Sequence, residues 1–135
     1  MLVYLAKKDR WNMESLVLAY LGDAVYELYI REHLINMNIQ NVNDLQKESI
    51  KYVSAKAQSQ LLAYLIDNQV LTEDEIDIVK KGRNAHSHSS KTTDIVTYKR
   101  STGFESLIGY LYLNDKKRLE EIMGVIVSER IWNNW

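Results

Sequence analysis

The chain has 135 residues, enough for one ordinary domain with a real core and short for two. Its hydrophobic and charged fractions, 46% and 26%, are those of a globular protein and exclude a disordered or fibrous chain. Cysteine is absent, which excludes disulfides and thiolate metal sites, and a net charge of −1 argues against a protein that coats nucleic acid.

The longest apolar run, Leu16 to Leu21, is too short to cross a membrane and is broken by Gly22 and Asp23. In Met1 to Arg10 the charges follow the apolar residues, which is not a signal-peptide layout, so a cytoplasmic location is expected. Proline is absent, strict alternation is rare and helical spacing dominates. The expected fold is therefore all-α, a domain of roughly six or seven helices.

The first long helix is expected from near Met13 to about Met37. Val42 to Gln69 reads as one or two helices with a break near Val53 and an apolar set that includes Leu45, Ala57, Leu61, Leu62 and Leu65. Thr72 and Glu75 form a capping box, in which hydroxyl and carboxylate satisfy free backbone amides. That helix carries Ile76, Val79 and Lys80 and is expected to end near Gly82 or a little beyond. Asn84 to Thr97, rich in Ser, Thr, His and Lys, reads as a loop, with room for a last helical turn at its start. Ser101 is expected to cap the next helix, where Phe104, Leu107, Ile108, Leu111 and Tyr112 form one apolar stripe. A last amphipathic helix is expected from about Lys116 to Ile131. No linker, repeat or low-complexity segment interrupts the chain.

Two places break the local rules. Leu16 to Tyr26 is apolar or aromatic except for Gly22 and Asp23, and a helix apolar on every face is expected to be buried. A buried carboxylate costs several kcal/mol unless it is paired or binds a metal. Glu105 lies beside the later stripe, one turn before Gly109. If the two helices cross at Gly22 and Gly109, Asp23 and Glu105 converge. Otherwise both glycines serve packing alone and Glu105 is a surface residue. Two converging carboxylates suit a hard cation such as magnesium, which activates water and stabilises charge on phosphate oxygens.

From Lys80 to Ser101 there are six basic residues and one acid, a local charge of +5 against −6 for the rest of the chain. A positive segment on an acidic protein suits an anionic partner, although a solvated loop has the same composition. Carboxylates, magnesium and a basic segment together read as phosphodiester hydrolysis.

Leu21-Gly22-Asp23-Ala24-Val25 resembles the signature helix of ribonuclease III, and Phe104-Glu105-Ser106-Leu107-Ile108-Gly109 resembles that family's second acidic helix. The short length, Lys81-Gly82-Arg83-Asn84-Ala85 and Tyr98 to Phe104 are similar to its Mini-ribonuclease III branch. The resemblance spans roughly Leu16 to Met123, most of the chain. It implies an all-helical endonuclease domain, alone over 1–135 without a double-stranded-RNA-binding domain, and working as a homodimer. Each subunit would hold one magnesium site and cut one strand of a duplex, in this branch the stem at the ends of precursor 23S ribosomal RNA.

Asp23 and Glu105 match the family's metal-binding, catalytic aspartate and glutamate. Ala19 and Thr102 stand where the wider family has two further acids, as in the Mini branch. Glu27, one turn after Asp23, is an extra acid better read as a supporting or surface residue. Lys80, Lys81, Arg83, Asn84 and Lys91 are the candidates for phosphate and 2′-hydroxyl contacts, since duplex RNA is read through shape and backbone. Lys99 and Arg100 could reach the same strand. Lys51 and Lys56 read as a solvated face.

His86 and His88 lack a third ligand and read as loop residues, and Ser87, Ser89 and Ser90 lack the base a nucleophile needs. The nine tyrosines are assigned to core or dimer interface. Two rivals come from other classes: a non-catalytic double-stranded-RNA-binding or ribosome-assembly module, and a helical dimerisation module. The first has no use for carboxylates facing phosphates. The second leaves the acids and the basic segment unexplained.

Overall fold

In the computed structural model residues 14–85 and 94–128 are described, and among them there are six helices and no strand. They are α1 (Ser15–Asn36), α2 (Val42–Val53), α3 (Ala55–Asp67), α4 (Glu73–Asn84), α5 (Ile95–Asn114) and α6 (Lys116–Ile126). The all-α expectation holds. Among the described residues no helix is long and apolar enough to cross a membrane.

Side-chain caps set most of the boundaries. Asn41 accepts from the amides of Asn43 and Asp44 at the start of α2. Ser54, with extended backbone, ends α2 and caps α3 through the Ala57 amide, so the break falls one residue after Val53. The capping box at α4 is complete: Thr72 Oγ1 accepts from the Glu75 amide and Glu75 Oε1 accepts from the Thr72 amide.

Two boundaries differ from the sequence reading. The helix expected to begin at Ser101 begins at Ile95, because Asp94 accepts from both the amide and the hydroxyl of Thr97. An aspartate at this position is among the stronger N-caps. Ser101 lies inside the helix, buried, its hydroxyl donating to the Tyr98 carbonyl. The last helix ends at Ile126, not Ile131, and residues 129–135 lie outside the described residues.

Helix α5 is the hub, packing against α1, α4, α3 and α6. Its stripe supplies the centre of the core: Phe104, Leu107, Ile108 and Leu111 are buried. Tyr112 is half-buried, with the Lys116 ammonium over its ring at 4.7 Å. From α1, Tyr26 meets Phe104 edge-on at 5.0 Å between centroids and donates its hydroxyl to the Tyr52 carbonyl at 2.8 Å. Full burial of side chains this large is worth about 2–3 kcal/mol each. Arg118 of α6 ties down the start of α4: it contacts both Glu75 oxygens at 2.8 Å and donates to the Val70 carbonyl.

The expectation that α1 is buried on every face fails. Leu18, Gly22, Val25, Tyr26, Ile30 and Leu34 are buried, but Val17, Tyr20, Leu28 and Ile35 are exposed, Tyr20 at 85%. A helix apolar all round needs cover on both sides, and the described residues cover one. Asp23 lies on the exposed side.

Candidate active site

The site is organised by backbone contact. A methyl group on Gly22 would collide with the carbonyl of Glu105, and one on Gly109 with the carbonyl of Leu18. The α1 and α5 backbones therefore touch at both glycines, an approach no other residue permits. Ser106, fully buried between them, donates its hydroxyl to the Ser15 carbonyl at 2.8 Å and pins the start of α1 onto α5.

This crossing sets Glu105 against Asp23. The Glu105 carboxyl is pushed up to about 8, first by burial, then by a hydrogen bond to Asp23 and repulsion from its charge. Gln58 of α3 works in the opposite direction. Its Nε2 donates to Glu105 Oε2 at 3.4 Å and to the Val53 carbonyl at 3.2 Å. Two carboxyls crowded together, one of them desolvated, form a place where a cation would be welcome. Among the described residues no group of three or more His, Asp or Glu is gathered as a metal cage.

A second close approach builds the basic surface. A methyl on Gly82 would strike the Ser106 side chain, and one on Gly103 the Val79 carbonyl. The positive end of α4 is thus pressed against α5. Lys80 and Arg83 from α4 and Arg100 from α5 line one groove, with Leu62, Ala63, Ile66, Ile76 and Val79 as its apolar wall. Asp67 is the acid of that lining. Lys81, Asn84 and Lys99 are exposed but do not line it. Lys91, His86, His88, Ser87, Ser89 and Ser90 lie outside the described residues.

A ribonuclease III domain model matches residues 16–116, the stretch that contains both carboxylates and the groove. The Mini-ribonuclease 3 of Streptococcus pneumoniae is 49% identical over 119 residues, covering 87% of this chain and 93% of that protein. The Mini-ribonuclease 3 of Enterococcus faecalis is 46% identical over 124 residues, covering 90% and 94%. A crystal structure of a Fusobacterium nucleatum protein superposes with a TM-score of 0.75 at 30% identity, over 84% of this chain and 93% of that one. The chain belongs to the ribonuclease III family. It is an endoribonuclease of the ribonuclease III type.

Within this ribonuclease III domain, Ala19 and Thr102 are both buried. The Thr102 hydroxyl donates to the Tyr98 carbonyl at 3.1 Å, a helix-internal bond. Glu27 is engaged by Arg31 at 3.1 Å across one helical turn. Lys51 is paired with Glu48 at 3.0 Å. The residue that sequence reading missed is Gln58. Its signal was available: an amide followed at helical spacing by Leu61, Leu62 and Leu65 sits on the buried face of its helix.

Proposed function

We propose that this chain is a magnesium-dependent endoribonuclease that cuts double-stranded RNA, maturing the ends of precursor 23S ribosomal RNA. The observation that carries the reading is the glycine crossing that brings Glu105 to Asp23, on a helix whose Arg100 also lines a basic groove. In this reading residues 1–135 hold one catalytic domain, located in the cytoplasm and working as a homodimer. Mini-ribonuclease 3 relatives matched over nearly their whole length support it.

The donor chemistry fits a hard cation. Asp23 and Glu105 offer carboxylate oxygens, and the neighbouring Gln58 reaches Glu105 Oε2 through its amide nitrogen. Magnesium takes one or two carboxylates and keeps several waters, so two acids suffice. Bound there, it would supply an activated water and charge stabilisation on the phosphate.

The protein's own groups do the rest. Lys80, Arg83 and Arg100 hold phosphates electrostatically, Arg100 lying five residues, about 7.5 Å along the axis, before Glu105. Lys81, Asn84, Lys91 and Lys99 extend the contact to further phosphates and 2′-hydroxyls. The rigid α1–α5 contact holds the two carboxylates against each other's repulsion. The exposed apolar side of α1, with Tyr20 and Leu28, would meet a second copy next to Asp23, which sets the two sites of a dimer close to one interface.

Cleavage of a ribosomal-RNA-precursor stem in magnesium tests this reading. Asp23→Asn and Glu105→Gln should each slow cutting by at least about a hundredfold, since a metal contact to the reacting phosphate is worth several kcal/mol. Both should still bind the stem. If wild type and variants all bind and none cuts, the protein is an RNA-binding module and the carboxylates have another role.

A further inference from the structure

Gln58 is an uneconomical choice for its position. It is 2% exposed, among Ala57, Ser59, Leu61, Leu62 and Leu65, the other buried residues of its helix. Its Nε2 has two acceptors, the Val53 carbonyl and the Glu105 carboxylate. Its Oε1 is buried with no donor among the described residues. A buried acceptor left unpaired costs about 1–3 kcal/mol. Turning the amide over offers no relief, because Oε1 would then face the Val53 carbonyl. Leucine or methionine fills the same volume without that cost, so packing alone gives no reason for an amide here. What the amide adds is a donor to Glu105 from a rigid buried position, in a place where burial and Asp23 both oppose the carboxylate's charge.

We propose that Gln58 is a positioning residue for the cation site, holding the Glu105 carboxylate in the orientation that receives the ion. The inference rests on the reading of Glu105 as a cation ligand. Val53 anchors the amide, the amide anchors Glu105, and the α2–α3 joint at Ser54 places both Val53 and Gln58. Gln58 touches neither the RNA nor the reacting phosphate in this scheme.

Gln58→Leu and Gln58→Met test the proposal. Binding of Mn2+ and Mg2+ to the RNA-free protein is measured by titration calorimetry, alongside thermal melting. Cleavage of the stem is followed across a magnesium series. Both variants are expected to keep or raise the melting temperature while binding the cation about tenfold more weakly, the loss typical of removing a partner of a metal ligand. Their kcat should fall at low magnesium and recover at high magnesium, with KM for the stem unchanged. Cation affinity equal to wild type in both variants, or a lower melting temperature with a kcat that magnesium does not restore, makes Gln58 a packing residue and overturns the proposal. Glu105→Gln separates the two readings. If it loses the cation and the Gln58 variants do not, only the role of Gln58 falls. If it too binds like wild type, the assignment of Glu105 falls first.

Discussion

Glu105 is held where its charge is unwelcome. It is half-buried and faces Asp23, and among the described residues only the Gln58 amide favours its charge. The carboxyl therefore titrates at about 8, against an ordinary value near 4.5. Between those values the folded protein holds a proton that the unfolded chain releases, so stability falls as pH rises. In metal-free buffer the melting temperature should drop from pH 5 to pH 8, and Glu105→Gln, which cannot ionise, should flatten that slope. Magnesium at pH 8 should recover the loss in wild type and not in the variant. A thermal melt at four pH values reads all three, and a flat wild-type profile would show that Glu105 titrates normally. At this scale the two acids were legible in the sequence as charges set among apolar residues and glycines. Gln58 was legible only as an amide on a buried helix face, because its partner lies 47 residues away.

The elements meet through glycines, and the same residue type has opposite consequences at different places. Gly109 lies against the Leu18 carbonyl, and backbone cannot step aside as a side-chain end can. Gly109→Ala should destabilise by about 1–3 kcal/mol or more, as overpacking does, and spread the two carboxylates apart. Among the described residues nothing lies within 4 Å of a methyl added at Gly124 of α6. Gly124→Ala should instead stabilise by about 0.5–1 kcal/mol, the ordinary helix preference for alanine. Chemical denaturation of the two variants checks both signs. The sequence marked Gly22 and Gly109 as a candidate crossing from their place next to the acids. It misplaced the start of α5, because Ser101 and Asp94 are both good caps and the choice depends on Thr97 meeting Asp94.

At the scale of the molecule, α1 has two apolar sides and the described residues cover only one. Val17, Tyr20, Leu28 and Ile35 form a patch of the kind that marks an interface with another protein. Replacing Tyr20 and Leu28 together by lysine should yield a monomer in light scattering with the helical content unchanged. A wild type that is already monomeric at micromolar concentration would remove the dimer from the proposed function. The all-helical class, the stripe of α5, the capping box of α4 and the family resemblance could be read from the chain, because spacing and motif are local properties. Whether an apolar helix face meets core or solvent, which acid is desolvated, and which cations share a groove are properties of pairs distant in sequence. Only the tertiary structure decided them: Asp23 exposed where burial was expected, Glu105 half-buried against Asp23 where a surface place was equally open, and Lys80, Arg83 and Arg100 gathered by the packing of α4 on α5.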